Sequence, residues 1–218
     1  MTQRMYSRAI LSAAVAATAC GISTTAYAQP QMLEEVVVMA QKREQSLQDV
    51  GIAITAFSGE TLETLGVVNS NQIAQFTPNL NIMSPAGEGG VVAVFIRGIG
   101  LNDFALNNTG PVGFYVDEVF VGSSNSQITS VFDMERVEVL KGPQGTLFGR
   151  NTTGGALNFI SNKPEQEFGL TGTVTAGNFG YYRGEGAITG ALTDTLNGRL
   201  AAVTYGSDGY MKNLSTAD

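Results

Sequence analysis

Apolar and polar positions alternate strictly along the last quarter of the chain. Leu170, Gly172 and Val174 are each followed by a threonine, and residues 182–192 place apolar residues and glycines on one side and polar residues on the other. A third segment of this kind spans residues 198–205. A period of two indicates β-strands, and such strands of about ten residues are typical of a transmembrane β-barrel. A soluble antiparallel sheet with one wet face would give the same pattern.

The middle of the chain has another pattern, in which short β-prone runs alternate with glycine-rich stretches. Ser58 can cap a short helix that ends at Gly66, and a second helix stops before Pro78. The expected strands are residues 52–56, 91–96, 112–116, 119–121, 136–141 and 156–160, and the expected helices are residues 59–65 and 70–76. Short strands mixed with short helices predict an α+β domain with a small mixed sheet.

Residues 133–164 are the most informative stretch, because a strand, a glycine run and a second strand follow one another. Pro143 ends the first strand, since it has no N–H to give to a ladder. The glycines lie at positions 142, 145, 149, 154 and 155. Apolar strands on both sides argue against a floppy surface loop. The spacing predicts backbone that packs against another surface or adopts torsions closed to other residues.

The same stretch resembles the signature of the plug domain of TonB-dependent outer-membrane receptors. That signature is a Glu-Arg-Val-Glu-Val-Leu run, then Lys or Arg with Gly-Pro, then Leu-Phe-Gly or Leu-Tyr-Gly, then Gly-Gly and a Leu-Asn or Ile-Asn pair. Residues 135–143, 147–149, 154–155 and 157–158 match it. The resemblance implies a plug domain followed by the strands of its barrel. Glu118 stands where the family usually has glycine, so a turn with positive φ would be strained there.

The first 28 residues have the features of an export signal. Arg4 and Arg8 give a positive start, residues 9–19 are apolar, and Ala-Tyr-Ala at 26–28 forms a cleavage site. The apolar stretch is too short for a membrane-spanning helix, which needs about 20 residues. A lipoprotein acylated at Cys20 is the alternative. We therefore expect a cleaved signal peptide over residues 1–28.

Removal of that signal leaves a chain without cysteine or histidine. Its 19 acidic residues then face 10 basic ones, since Arg4 and Arg8 leave with the signal. Disulfides, zinc clusters, cysteine nucleophiles and Ser-His-Asp triads are excluded by composition. An acidic chain without a basic run is a poor nucleic-acid binder. We expect no enzymatic activity and no cofactor.

A compact β-prone run follows the cleavage site and precedes a polar stretch. It consists of Glu34, Glu35, Val36, Val37 and Val38. By itself the run could be an ordinary edge strand. Its position resembles that of the TonB box, an extended peptide that pairs with the periplasmic protein TonB by strand addition. The resemblance also implies the ExbB–ExbD energy system that works with TonB.

The motif Ile-Arg-Gly at residues 96–98 is similar to a family motif whose arginine meets carboxylates on the inner barrel wall. The resemblance therefore implies a plug–barrel contact for Arg97, with Lys141 and Arg150 as further candidates. A plain surface arginine is the alternative interpretation for Arg97. The partner carboxylates would lie beyond residue 218.

Polar, glycine-rich stretches at residues 84–90, 101–110 and 122–127 join the plug strands. In the family such apical loops form the floor of the extracellular ligand site. The candidates for hydrogen bonds to a polar chelate or glycan are Asn102, Asp103, Asn107 and Asn108. Plain connecting loops are the alternative.

The predicted organisation has four parts. Residues 1–28 are the signal peptide, 29–50 the TonB box and linker, 51–164 the plug, and 165–218 the first antiparallel strands of a transmembrane barrel. Three strands cannot close a barrel, and family members use about 22 strands. We therefore expect an N-terminal fragment, from a truncated gene product or a partial reading frame.

The resemblance implies an outer-membrane receptor that takes up a scarce nutrient, most often a ferric siderophore in this family. Cobalamin, a saccharide and other metal complexes remain open as nutrients. A free periplasmic plug-like binding module without transport is the alternative function. For an exported enzyme, the sequence offers no catalytic constellation.

Overall fold

A computed structural model of the chain describes residues 37–38, 45–48, 50–84, 90–103, 105 and 108–208. The predicted signal peptide lies outside these ranges, as do most of the segment at 29–50 and Asn107 from the predicted ligand set. Within the described ranges, no helix combines the length and the apolar composition needed to cross a membrane.

The described elements are short strands and shorter helices. The strands are β1 (Val37–Val38), β2 (Gln45–Ser46), β3 (Ala53–Ser58), β4 (Leu80–Met83), β5 (Ala93–Ile96), β6 (Ile99–Gly100), β7 (Val112–Val116), β8 (Val119–Phe120), β9 (Met134–Lys141), β10 (Gly155–Ser161), β11 (Gly169–Ala176), β12 (Tyr182–Thr193) and β13 (Leu196–Gly206). The helices are α1 (Gly59–Thr64), α2 (Ile73–Phe76) and α3 (Gly145–Phe148), with 3₁₀ turns at Ser70–Gln72 and Ser124–Ser126.

The plug is built on a mixed five-stranded sheet in the order β3-β9-β10-β7-β8. Strand β10 runs parallel to β7, and the other neighbours are antiparallel. A smaller antiparallel sheet, β4-β5-β6, packs beside it. This architecture confirms the predicted α+β domain with a small mixed sheet. Strands β2, β4 and β6, helix α3 and the 3₁₀ turn at Ser124–Ser126 were not among the expected elements.

Both faces of the central sheet are covered. On one face Val137, Val139 and Leu157 join a large apolar cluster that includes helix residues such as Leu62. The rings of Phe114 and Phe159 stack there with centroids 4.6 Å apart. On the other face Leu140 lies in a second cluster. Strands β9 and β10 are therefore buried on both sides, although β9 alternates apolar and charged residues.

Local signals explain the helices. The Ser58 hydroxyl accepts a hydrogen bond from the Thr61 N–H at 3.2 Å, and Gly66 follows the helix with a φ of 67°. The expected second helix is divided into a 3₁₀ turn and α2. There the Gln72 side chain accepts hydrogen bonds from the N–H groups of Val68 and Asn69, at 2.7 and 3.0 Å. These bonds tighten the first turn.

The hairpin between β7 and β8 has a two-residue turn at Asp117 and Glu118. Both residues have positive φ, 46° and 67°, as a type I′ turn requires. The left-handed torsion that we expected to strain Glu118 is therefore present. The Asp117 carboxylate accepts hydrogen bonds from the N–H and the hydroxyl of Ser161, both at 2.8 Å, which holds the turn against β10.

Strands β11, β12 and β13 form an antiparallel meander that is not closed within the described residues. Leu170, Ile188 and Leu200 pair across it in one row, and all three side chains are exposed. The opposite face carries polar side chains such as Arg183 and Thr189, both buried. The predicted separation into an apolar and a polar face is confirmed.

Gly155 begins β10 at a place where no side chain fits. Its φ is 146°, and a Cβ added there would lie 2.2 Å from the carbonyl oxygen of Leu140. Both the torsion and the close backbone approach require glycine. The glycine-rich signature is thus explained in part by the pairing of β9 with β10.

The variant Gly155→Ala should destabilise the plug by at least about 2 kcal/mol, because the methyl group would force β9 and β10 apart. Urea unfolding of the 218-residue chain in detergent, followed by circular dichroism, measures the change in the free energy of unfolding. Gly145→Ala is the matched control. No atom lies within 4 Å of a Cβ at Gly145, which begins α3. It should stabilise by up to about 1 kcal/mol. Equal effects of the two variants would contradict this account.

Candidate functional site

The N-terminal run that resembles a TonB box is folded onto the plug where it is described. Val37 and Val38 form β1, which pairs antiparallel with β2. The side chain of Val38 is fully buried in the second apolar cluster, together with Tyr115, Leu140 and Ala156. Glu34, Glu35 and Val36 lie outside the described residues. The side chain of Val38 thus attaches β1 to the plug by apolar packing.

Two of the three predicted wall-contacting cations lie close together. Arg97 is exposed in the turn between β5 and β6 with a φ of 53°. Burial lowers the pKa of Lys141, and the positive charge of Arg97 lowers it further. Arg150 is also exposed. Among the described residues, none of the ion pairs includes Arg97, Lys141 or Arg150. This placement leaves them available to acidic groups, and the predicted wall contact stays a prediction.

Two of the predicted ligand residues in the apical loop, Asp103 and Asn108, are hydrogen-bonded to each other. The Asp103 carboxylate accepts hydrogen bonds from the Ala105 N–H at 2.9 Å and from the Asn108 amide. Both bonds lower the pKa of Asp103, and the bond from the Ala105 N–H has the larger effect. Asn102 is exposed. The adjoining cavity has only about 20 Å³, which is room for about one water molecule.

A buried charged group that the sequence analysis missed lies on β9. The Arg136 Nε donates to the Glu138 carboxylate at 2.8 Å, and its Nη1 donates to Glu135. The Asn158 amide donates to the other Glu138 oxygen at 3.3 Å. Within the described residues, Nη2 of Arg136 and Oδ1 of Asn158 are buried without a hydrogen-bond partner. The signal was visible as a Glu and an Arg two residues apart, which places them on one face of a strand.

The structure also brings together plug and barrel-type strands through residues that we did not predict. Arg199 of β13 makes a two-bond ion pair with Asp133 of the plug. Arg183 of β12 donates to the carbonyl oxygen of Val131 at 3.3 Å. The Glu165 N–H donates to the Thr189 hydroxyl at 2.9 Å. The plug therefore contacts the charged face of the meander.

The described residues provide no metal centre, because they contain no group of three or more Asp, Glu, His or Cys side chains placed to hold an ion. What they do provide is a peripheral β-strand, exposed cations and polar apical loops.

Comparison with curated proteins finds relatives among transport receptors. The chain is 29% identical over 175 residues to a vitamin B12 transporter of Vibrio vulnificus, covering 78% of this chain and 28% of that protein. It is 29% identical over 184 residues to the pesticin receptor of Yersinia pestis, covering 83% and 26%. The chain thus spans about a quarter of the length of these relatives.

Solved structures show the same fold. The ferric yersiniabactin uptake receptor of Yersinia pestis superposes with a TM-score of 0.60 at 28% identity, over 70% of this chain and 24% of that one. The pyoverdine receptor of Pseudomonas aeruginosa gives a TM-score of 0.67 at 22% identity, over 80% and 25%. The latter likeness concerns the fold alone.

The family described as the TonB-dependent receptor plug domain matches residues 46–156, which is more than half of the chain. The match begins at the last residue of β2 and ends at the second residue of β10, so it includes four strands of the plug sheet and the start of the fifth. The mixed sheet, the glycine-dependent pairing of β9 with β10 and the similar receptors agree with it. This chain therefore belongs to the TonB-dependent receptor family and carries its plug domain.

Proposed function

We propose that the chain is the plug and the first wall strands of an outer-membrane receptor that takes up a scarce nutrient, with a ferric siderophore as the nutrient class. The family assignment supports uptake. The siderophore class is supported by similar proteins described as a ferripyoverdine receptor and a catecholate siderophore receptor. Cobalamin is the competing nutrient, because vitamin B12 transporters are also similar.

The observation that carries this proposal is the two-faced sheet attached to the plug. Its outer face exposes Leu170, Val174 and Leu200, with 72%, 88% and 71% of each side chain accessible. Its inner face carries the arginines that contact the plug. A free periplasmic module would have to keep the apolar rows in water, which soluble proteins rarely do. In a lipid bilayer these apolar side chains contact hydrocarbon and are not exposed to water.

The remaining site residues are assigned by the resemblance of their motifs to those of the family. Glu34, Glu35, Val36, Val37 and Val38 form the strand that pairs with TonB, which receives its energy from ExbB–ExbD. Arg97, Lys141 and Arg150 contact carboxylates on wall strands. Asn102, Asp103, Asn107 and Asn108 contribute to the floor of the extracellular ligand site. The chain is exported by a signal peptide that is cleaved after Ala28.

The burial of Val38 adds a step to TonB coupling. Strand addition needs the main-chain groups of β1, and docking of Val38 against Tyr115 and Leu140 opposes their release. Binding of TonB therefore competes with the packing of β1 on the plug. Substitutions at the two neighbouring valines should separate these effects.

Val37→Pro should weaken binding of the C-terminal domain of TonB several-fold, because proline removes one ladder N–H worth about 1 kcal/mol. Val37→Ala keeps the N–H and is the matched control. Val38→Ala should strengthen binding, since it loosens β1 from the apolar cluster. Isothermal titration with the purified chain in detergent measures each affinity. Unchanged binding of Val37→Pro would reject the TonB assignment.

Leu200→Lys should reduce association of the chain with phosphatidylcholine vesicles by up to about 2–4 kcal/mol, because the charge would enter the hydrocarbon region. Thr173→Lys is the control, since Thr173 pairs with Glu185 on the inner face. Flotation in a density gradient measures the bound fraction. Equal flotation of the two variants would contradict the lipid-facing assignment.

The nutrient class is tested by growth of the source bacterium with the chromosomal gene intact or disrupted. Under iron limitation, disruption should abolish growth on one ferric siderophore and leave growth on ferrous iron unchanged. Supplementation with cobalamin in place of iron is the second arm. A defect confined to cobalamin use would replace the siderophore by cobalamin, whereas no defect on any nutrient would favour the free binding module.

A further inference from the structure

The plug meets the charged face of the meander along a short stretch just before β9. We call residues 130–133 the docking segment. It is contacted by arginines from two different strands, Arg183 of β12 and Arg199 of β13. None of the resemblance-based wall contacts involves this segment.

The first contact is made by Arg183, whose side chain is almost completely buried. Its Nη2 donates to the Val131 carbonyl oxygen at 3.3 Å and to the Ser130 hydroxyl at 3.4 Å. Its Nε donates to Glu185, and its guanidinium lies 5.7 Å from the centre of the Tyr205 ring. Partners on both sides hold the arginine in one orientation.

The second contact is the ion pair between Arg199 and Asp133. The Arg199 Nε donates to one carboxylate oxygen at 2.8 Å, and Nη2 donates to the other. Asn162 adds a third hydrogen bond at 2.9 Å. Burial by itself raises the pKa of Asp133, but the bonds from Arg199 and Asn162 outweigh it and lower the pKa. The Asp133 carboxylate is therefore stabilised in its ionised form, which attracts the Arg199 guanidinium.

The two arginines approach the docking segment from well-separated rows of the sheet. Arg199 of β13 is the cross-strand partner of Thr189 of β12. Arg183 lies six positions before Thr189 on β12. This spacing corresponds to about 20 Å along the strand. Two contacts, one at Val131 and one at Asp133, restrain rotation of the plug against the sheet more than a single contact would.

The docking segment is also tied firmly to the body of the plug. The Val131 N–H donates to the Val68 carbonyl oxygen at 2.8 Å. One residue earlier, Ser130 forms an isolated β-bridge with Asn69. The Val131 side chain enters the large apolar cluster. A force on the segment therefore acts on the plug as a whole.

Polar contacts, and not close packing, hold this junction. Cavities of about 600 and 400 Å³ adjoin the docking segment, and both are lined by Phe132 and Asp133 together with inner-face residues such as Thr173. Apolar contacts across such gaps contribute little, because dispersion attraction falls off within an ångström. The ion pair and the arginine hydrogen bonds carry the attachment.

We propose that the docking segment, held by Arg183 and Arg199, is a charge-dependent joint that sets the orientation of the plug against the barrel wall, with Asp133 as its central residue. The joint is formed by residues of this chain alone. The joint does not depend on which nutrient the receptor takes up, so it can be tested without a transport assay.

The test uses hydrogen–deuterium exchange of the 218-residue chain in detergent, read by mass spectrometry. Asp133→Asn removes the charge, while asparagine still tolerates the positive φ of 52° found there. Arg199→Gln removes the partner. Exchange of the Glu165 amide, whose N–H donates to the Thr189 hydroxyl, should accelerate about tenfold or more in each variant. The double variant should exchange no faster than either single one, since both remove the same interaction.

Lys163→Gln is the control, because it removes an exposed positive charge near the same linker and leaves Asp133, Asn162 and both arginines in place. It should leave exchange of the Glu165 amide unchanged. Amides of β9 and β10 should stay protected in all variants, since the plug itself remains folded. Unchanged exchange in either single variant, additive effects in the double variant, or loss of protection throughout the plug sheet would each overturn the proposal.

Discussion

Strands β9 and β10 are buried on both faces, and the other parts of the plug pack on this pair. Their close pairing depends on Gly155, where a Cβ would meet the Leu140 carbonyl oxygen at 2.2 Å. On one side the pair supports the large apolar cluster, and on the other it receives Val38 from the N-terminal segment. The same two strands thus connect the plug core with the segment proposed to bind TonB.

Full burial of β9 places a charged pair inside the domain. Glu138 is completely buried, and Arg136 is nearly so. Removing one partner of such a pair typically costs about 3–5 kcal/mol, whereas the intact pair adds little to stability. The pair therefore constrains the register of β9 more than it strengthens the plug. It lies on the face that also carries Leu140, next to the N-terminal segment.

Different interactions attach the plug to the N-terminal strand β1 and to the meander of β11, β12 and β13. The N-terminal strand is attached by apolar packing of Val38. The docking segment is attached to the meander through Asp133 and two arginines, across an interface with large cavities. Apolar packing at one end and an ion pair with further arginine hydrogen bonds at the other therefore attach the plug to its neighbouring segments.

Local patterns in the sequence were sufficient for much of the fold. The cap at Ser58, the end of α1 at Gly66 and the two faces of β11–β13 follow from residues close together in the chain, so caps and periodicity predicted them. The glycine-rich signature was likewise sufficient to indicate the family. The burial of Glu138, the docking of Val38 and the pair of Arg199 with Asp133, 66 residues apart, were decided by the tertiary structure alone. These contacts depend on which strands become neighbours and which face of the sheet is covered, and no local pattern contains that information.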